Sequence, residues 1–264
     1  MAAMTPAYAL VGVLGLAVGS FLNVVIHRVP RGESLLRPGS HCPKCQAPVR
    51  VWQNVPVLSW LALRGRCAHC REAISARYPL VELLTAALFI AVTLRFGLTP
   101  VLPAYLYLAA VAVALALIDL DVKRLPNVIV LPSYLVAALL LGVAAVTGAD
   151  RGPVLRALVA MVVLFAGYLA LALLVPGGMG YGDVKLAGLL GLYLGWVGWN
   201  AVWVGTFLAF LLGGLVGVGL LLLRRAGRRS AIPFGPSMLA GAGVALFAAG
   251  PLVTWYLALL LPTA

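Results

Sequence analysis

Two aspartates, Asp119 and Asp183, lie where apolar stretches of the chain meet polar segments, in the sequences IDLDVKRLPN and GGMGYGDVK. An ionised carboxylate beside lipid is costly, so an acid in this position is a candidate functional residue. Two carboxyl groups a few ångströms apart in a poorly solvated pocket share a proton, which makes one a base and the other an acid. Such a pair can activate a water molecule for attack on a peptide carbonyl. The chemistry that these residues predict is peptide hydrolysis.

Each aspartate also has a simpler explanation. Asp119 and Asp121 point about 200° apart on a helix, so only one of them can face a common site. Both could instead form a solvated helix end that pairs with the basic residues after it. Asp183 follows four glycines in six residues, and an aspartate at a helix start often caps backbone N–H groups. No serine, histidine and acid set competes with the aspartate pair, because His27 is the one histidine outside the cysteine motifs.

The order of elements allows the two aspartates to meet. They are 64 positions apart, with two apolar spans between them, so the chain returns to the same membrane face. The helix after Asp183 carries a face of small residues suited to close packing, formed by Gly188, Gly191, Gly195 and Gly198. This face either brings the Asp183 helix against the Asp119 helix or serves ordinary packing between membrane helices.

The composition requires a membrane environment for these elements. The chain has 63% hydrophobic and 10% charged residues, which is too apolar for a soluble domain of 264 residues. Apolar runs of about 20 residues predict an all-α polytopic membrane protein with about eight transmembrane helices, near 6–26, 79–96, 101–118, 128–147, 154–176, 184–199, 200–223 and 236–262. We expect a first helix over 1–26, a cytoplasmic loop domain over 27–78 and a membrane core over 79–264.

The net charge of +12 reports membrane topology. Eight alternating spans place sixteen of the 19 Lys and Arg residues on one side, and only Arg95, Arg151 and Arg156 on the other. The positive-inside rule makes the basic side cytoplasmic and leaves both termini outside. The basic residues can contact anionic lipid head groups. Nucleic acid is not an expected partner, because no basic patch alternates with stacking aromatic residues.

All four cysteines lie in the cytoplasmic loop as two CxxC pairs, Cys42 with Cys45 and Cys67 with Cys70. Two such turns separated by 21 residues predict a zinc-ribbon-like site with four thiolate ligands. A site with four protein ligands has no open position, so we expect the zinc to be structural. The alternatives are disulfides, which a reducing cytosol disfavours, redox pairs, or thiols without a bound metal. His41 and His69 are neighbours that could substitute as ligands.

Motifs along nearly the whole chain resemble the type IV prepilin peptidases, in the GxGD class of aspartic intramembrane proteases. Besides the two CxxC pairs, they are GSFLNVVIHRVP (19–30), NVPVLSW (54–60), RGRC (64–67), RYPLVE (77–82), IDLD (118–121), GGMGYGDVK (177–185) and IPFGP (232–236). The resemblance implies that Asp119 and Asp183 are the catalytic residues. It selects Asp119 over Asp121, because the family's first aspartate lies six residues before the Leu or Ile of its Leu-Pro-Asp/Asn element, here Leu125.

The resemblance also implies the substrates and a second activity. Members cleave prepilins and pseudopilins of type IV pilus or type II secretion systems at the cytoplasmic face of the bacterial inner membrane. The longer members, which carry the cysteine-bearing loop, also N-methylate the new amino terminus with S-adenosylmethionine. No residue here identifies the methyl-donor site. Glu82, an acid well inside the second span, either serves methylation or makes a buried helix contact.

Two other classes of function fit part of the sequence. In a proton-coupled small transporter, Asp119 and Asp183 would relay protons and the zinc loop would bind a partner. Transporters usually have inverted repeats or helices broken near the middle of the bilayer, whereas the breaks here lie at the cytoplasmic face. A non-catalytic assembly platform would tolerate asparagine at both positions, whereas a peptidase would not.

Overall fold

A computed structural model describes residues 5–148, 152–175, 178–223 and 233–260 of the chain. These residues form nine α-helices and no β-strand. The helices are α1 (Thr5–Arg28), α2 (Leu58–Ala62), α3 (Arg77–Phe96), α4 (Leu102–Val122), α5 (Asn127–Thr147), α6 (Gly152–Leu174), α7 (Tyr181–Val197), α8 (Trp199–Leu222) and α9 (Gly235–Leu260). The predicted all-α architecture is confirmed, and every predicted span corresponds to one of the eight long helices.

Seven of the long helices in the described ranges have the length and apolar character needed to cross a membrane. The remaining one, α7, has 17 residues, which corresponds to about 26 Å at 1.5 Å per residue. The sequence predicts this short sixth span. The helix containing Asp119 continues to Val122, four residues beyond the predicted end at position 118. Asp119 therefore lies on the last turn of α4.

The chain divides into two compact units, residues 1–114 and 115–264. In the first unit, α1 packs against α3 through three glycines at helical spacing, Gly12, Gly15 and Gly19. A Cβ atom at Gly15 would lie 2.6 Å from the Cα atom of Ala86, and one at Gly19 would lie 2.6 Å from the Cα atom of Glu82. Small residues allow this backbone approach between membrane helices.

In the second unit, α7 is enclosed by other helices, and residues 186–195 are all buried. A Cβ atom at Gly191 would lie 2.6 Å from the carbonyl oxygen of Ala160 in α6. A Cβ atom at Gly195 would lie 2.8 Å from the Cα atom of Ala157. The glycine face of α7 thus packs against α6. These contacts are ordinary packing between membrane helices, which is the second of the two roles predicted for this face. The far end of α7 is capped by Arg156, which donates to the carbonyl oxygens of Gly195 and Trp196.

Replacing Gly191 with alanine will destabilise the second unit, because the added methyl group meets backbone atoms that cannot rotate away. We expect a loss of about 1–3 kcal/mol, as for other overpacked interiors. Gly167→Ala in α6 is the matched control, since no atom lies within 4 Å of a Cβ built there. Thermal unfolding in detergent measures the difference. Equal unfolding midpoints for the two variants would contradict the packing described for α7.

Candidate active site

Asp119 is a buried acid at the end of α4, with 4% of its surface exposed. Its Oδ2 atom accepts a hydrogen bond of 3.0 Å from the backbone N–H of Gly235, at the first turn of α9. Asp121, two residues further on, is exposed. The helix thus directs one acid into the protein and the other outward, as their angular separation requires.

Asp183 is the third residue of α7 and is half-buried. Its Oδ2 atom accepts a hydrogen bond of 3.2 Å from the backbone N–H of Gly180, the residue before the helix. The simpler explanation for this aspartate therefore holds in part, because its carboxylate closes the first turn of the helix. The capping contact uses one lone pair, so the carboxylate retains the capacity to accept or donate a further hydrogen bond.

The two aspartates lie close enough to interact electrostatically. Leu125, which follows the end of α4, lies between the segments that hold them. A Cβ atom at Gly182 would be 3.0 Å from the Cβ atom of Leu125, and one at Gly235 would be 3.3 Å from its Cδ2 atom. The ends of α4, α7 and α9 therefore converge on one small region that contains both acids.

Several neighbours of the pair are not identified by the sequence analysis. Tyr168 of α6 is 4% exposed and lies near enough to Asp183 to interact with its charge. Its ring packs in an aromatic cluster with Phe210 and Phe234, with ring centroids 5.4–6.5 Å apart. Gly235 and Phe234 belong to the segment IPFGP, one of the motifs that resemble the family, but the motif alone assigns them no role.

A further set of contacts fixes the start of α7 relative to α5. The Lys185 amine donates a 2.9 Å hydrogen bond to Oδ1 of Asn127, and the Tyr134 hydroxyl donates a 2.5 Å bond to the carbonyl oxygen of Lys185. Both contacts join α5 to the segment GDVK. Because Lys185 is two residues after Asp183, these bonds restrict the position of the second acid.

The arrangement can perform acid–base chemistry on a bound carbonyl compound. Two interacting carboxyl groups, one buried and one half-buried, meet at the ends of apolar helices. Two carboxyl groups close together in a poorly solvated site can share one proton, because adjacent negative charges repel each other. A water molecule between the carboxyl groups could be deprotonated by one of them while the other protonates the carbonyl oxygen of the substrate.

The four cysteines form a second, separate cluster in the first unit. Their sulfur atoms all lie within 4.8 Å of one another, with Cys42 Sγ 3.8 Å from Cys70 Sγ and Cys45 Sγ 3.9 Å from Cys67 Sγ. Sulfur atoms bound to one zinc ion at about 2.3 Å with tetrahedral geometry lie about 3.8 Å apart. The cluster therefore fits a tetrahedral metal ion, and it contains neither His41 nor His69.

Both cysteine pairs occupy the same kind of turn. The N–H of Cys42 donates to Ala47, and the N–H of Cys67 donates to Glu72. In each turn the N–H of the residue after the second cysteine also donates to the carbonyl oxygen of the first cysteine, so two backbone bonds close each turn. The residue after each second cysteine, Gln46 or Arg71, has a positive φ of about 60°. Nearby backbone N–H groups, of Cys70 and then His69, lower the pKa of the Cys67 thiol to about 6. A lowered pKa favours the thiolate that a metal ion binds.

Side-chain contacts outside the cysteines also hold this segment together. An ion pair between Lys44 and Glu72 joins the two turns. The Trp60 indole N–H donates to the carbonyl oxygen of Ile74, at 3.1 Å. Glu82 of α3 is 7% exposed and accepts a 2.7 Å hydrogen bond from the N–H of Val57. Glu82 therefore makes a buried contact that ties α3 to the segment between the two turns.

Comparison with known proteins relates the chain to one family. The family model described as the bacterial peptidase A24 N-terminal domain matches residues 13–96, and the model of the type IV leader peptidase family matches residues 106–218. The chain is 40% identical to the prepilin leader peptidase/N-methyltransferase of Aeromonas hydrophila, with 95% of this chain and 93% of the relative covered. A protein of the same name from Pseudomonas aeruginosa is 38% identical, with 92% and 91% covered. No solved structure matches the chain.

Proposed function

The chain belongs to the type IV leader peptidase family, and on that premise we propose that it removes the leader of type IV prepilins with Asp119 and Asp183 as its catalytic pair. The single observation that supports this assignment best is the convergence of two interacting acids at the ends of α4 and α7. Asp119 is the buried acid of its segment, whereas Asp121 faces outward. One carboxyl group deprotonates the attacking water, and the other protonates the carbonyl oxygen of the scissile peptide.

The relatives' name also includes N-methyltransferase, so the chain has a second activity on the product of the first. Cleavage releases a new amino terminus, and methylation of that amine requires a methyl donor. We propose S-adenosylmethionine as the donor, which supplies an electrophilic methyl group to the amine. Pseudopilins, which share the prepilin leader by the family resemblance, are proposed as further substrates. Nothing in the comparisons supports the transporter alternative.

We propose zinc as the metal that Cys42, Cys45, Cys67 and Cys70 bind. Four thiolates at the corners of a tetrahedron leave no position for substrate or water, so the metal would serve structure and not catalysis. The segment from 27 to 78 contains few aliphatic residues, and a metal ion supplies the stability that a hydrophobic core would otherwise give. This segment constitutes the proposed cytoplasmic domain, between a first membrane helix over 1–26 and a peptidase core over 79–264.

The protein is a multi-pass inner membrane protein. We propose that the aspartates face the cytoplasm and that both termini lie on the opposite side, because sixteen of 19 basic residues then lie on the cytoplasmic side. Anionic lipid head groups would contact these basic residues. A substrate whose basic leader stays in the cytoplasm presents its scissile bond at this membrane face.

An assay with purified protein in detergent tests the proposed function. The substrate is a prepilin with a basic leader and an apolar helix, and the products are separated by mass. We expect two fragments from one cut at the end of the leader. With S-adenosylmethionine present, we also expect the mass of the mature fragment to rise by one methyl group. Absence of cleavage by the wild-type protein would refute the peptidase proposal.

A further inference from the structure

The amino end of α9 lies directly against Asp119. Gly235 is buried at the first turn of α9, and its N–H donates to Oδ2 of Asp119 across 116 positions of sequence. The first N–H groups of an α-helix have no acceptor within the helix. Here the carboxylate supplies that acceptor, and the helix dipole favours the negative charge. The bond therefore fixes one oxygen of Asp119 relative to α9.

A side chain at this position would require the Asp119 carboxylate to shift. A Cβ atom on Gly235 would lie 2.8 Å from Oδ2 of Asp119 and 3.3 Å from Cδ2 of Leu125. Leu125 also lies beside Gly182, next to Asp183, so a shift of Leu125 would affect the segment that holds the second acid. An added methyl group would therefore displace the Asp119 carboxylate. By contrast, nothing lies within 4 Å of a Cβ atom built on Gly243 in the same helix.

We propose that Gly235 is a positioning residue of the peptidase site, which holds Asp119 through its backbone N–H and admits that contact because it has no side chain. The inference rests on the proposed peptidase function. Gly235 lies beyond residue 218, where the match to the type IV leader peptidase model ends. A displacement of about 1 Å in a catalytic group can reduce the rate about a hundredfold. The rate then depends on the position of the carboxylate as well as on its presence.

Gly235→Ala tests the proposal when its prepilin cleavage kinetics are compared with those of Gly243→Ala. We expect kcat of Gly235→Ala to fall about a hundredfold, with KM unchanged within about twofold, because the change acts on a group that takes part in the chemical step. Gly243→Ala should keep the wild-type kcat and KM. A Gly235→Ala protein with wild-type kcat would overturn the proposal, and so would an equal loss of kcat in Gly243→Ala.

An ester bond in place of the Phe234–Gly235 peptide bond provides a second test without an added side chain. The ester removes the N–H of Gly235 and introduces no Cβ atom. If Gly235→Ala fails to accumulate, the ester protein still tests whether this N–H holds Asp119. Loss of a hydrogen bond to a charged group should lower kcat about tenfold or more. A wild-type kcat in the ester protein would overturn the proposal.

The same cleavage assay, with Asp119→Asn added to the set of variants, separates this proposal from the peptidase assignment. If wild-type protein cleaves and Asp119→Asn does not, the peptidase assignment holds, and a wild-type rate in Gly235→Ala overturns only the role of Gly235. If Asp119→Asn cleaves normally, the catalytic assignment itself fails, and the positioning role fails with it.

Discussion

Replacement of Asp119 or Asp183 by asparagine will abolish prepilin cleavage while the protein continues to insert and accumulate. Asparagine has nearly the same shape as aspartate but can neither take a proton from water nor give one to a carbonyl oxygen. The two carboxyl groups act as a unit, so loss of either should cost nearly as much as loss of both, on the order of 10⁴-fold in rate. Cleavage of a prepilin by purified variants, followed by mass, measures this loss.

Asp121→Asn is the matched control for this prediction. Asp121 lies two residues from Asp119, on the exposed side of the same helix end, so its variant removes an equal charge from the same segment. We expect Asp121→Asn to cleave at the wild-type rate. Normal processing by Asp119→Asn or Asp183→Asn would remove the two-aspartate mechanism. A comparable defect in Asp121→Asn would show that charge at this helix end matters more than the pair.

Serine at a single cysteine of the four-cysteine cluster will remove most of the bound zinc and unfold the segment around it. Cys67 is the most informative position, because it is buried and accepts the N–H of His69. Structural zinc sites contribute folding free energy directly, about 10–16 kcal/mol for isolated zinc-binding peptides. Metal analysis of purified Cys67→Ser should therefore give close to zero zinc per chain, against about one for the wild type. Limited proteolysis should cut the variant within residues 29–76.

His69→Ala provides the comparison for the cysteine variant. His69 is adjacent to the cluster but contributes no sulfur or nitrogen ligand to it, so zinc content and protease resistance should remain at wild-type levels. Chelation of zinc from the wild-type protein should reproduce the protease sensitivity of Cys67→Ser. A wild-type protein that contains no metal but resists proteolysis in this segment would refute the structural role of zinc.

Much of the architecture follows from local patterns in the sequence. The long helices are predictable because lipid offers no hydrogen-bond partner to the backbone, so each membrane-spanning segment must form its backbone hydrogen bonds internally. This requires a helix made from an apolar run of characteristic length. The cysteine cluster is predictable because each CxxC turn holds its two thiols close together. The chain has only two such turns, so a site with four thiolates must combine them. Asp119 and Asp183 are recognisable as acids in unfavourable surroundings, and the turn of the helix explains why Asp119 is buried while Asp121 is not.

Contacts between distant elements could not be predicted in the same way. The sequence indicates that the glycine face of α7 packs closely, but it does not say which helix meets Gly191 and Gly195, and the structure identifies α6. The bond between Gly235 and Asp119 joins residues 116 positions apart. Leu125 lies between two glycines from different helices, and no periodicity links them. These contacts depend on tertiary packing, which single-sequence patterns do not encode.

The enclosure of α7 has a consequence for biosynthesis. At 17 residues, with glycines along one face, this helix offers little apolar surface to lipid and is stabilised mainly by its neighbours. Its length is at the lower limit for crossing the bilayer on its own. Because α6 supplies the backbone surface that the glycines require, the two helices should leave the translocon together as a helical hairpin. A substitution such as Gly195→Leu, which places a side chain against the backbone of Ala157, would then prevent the hairpin from closing during synthesis, before any effect on the mature enzyme.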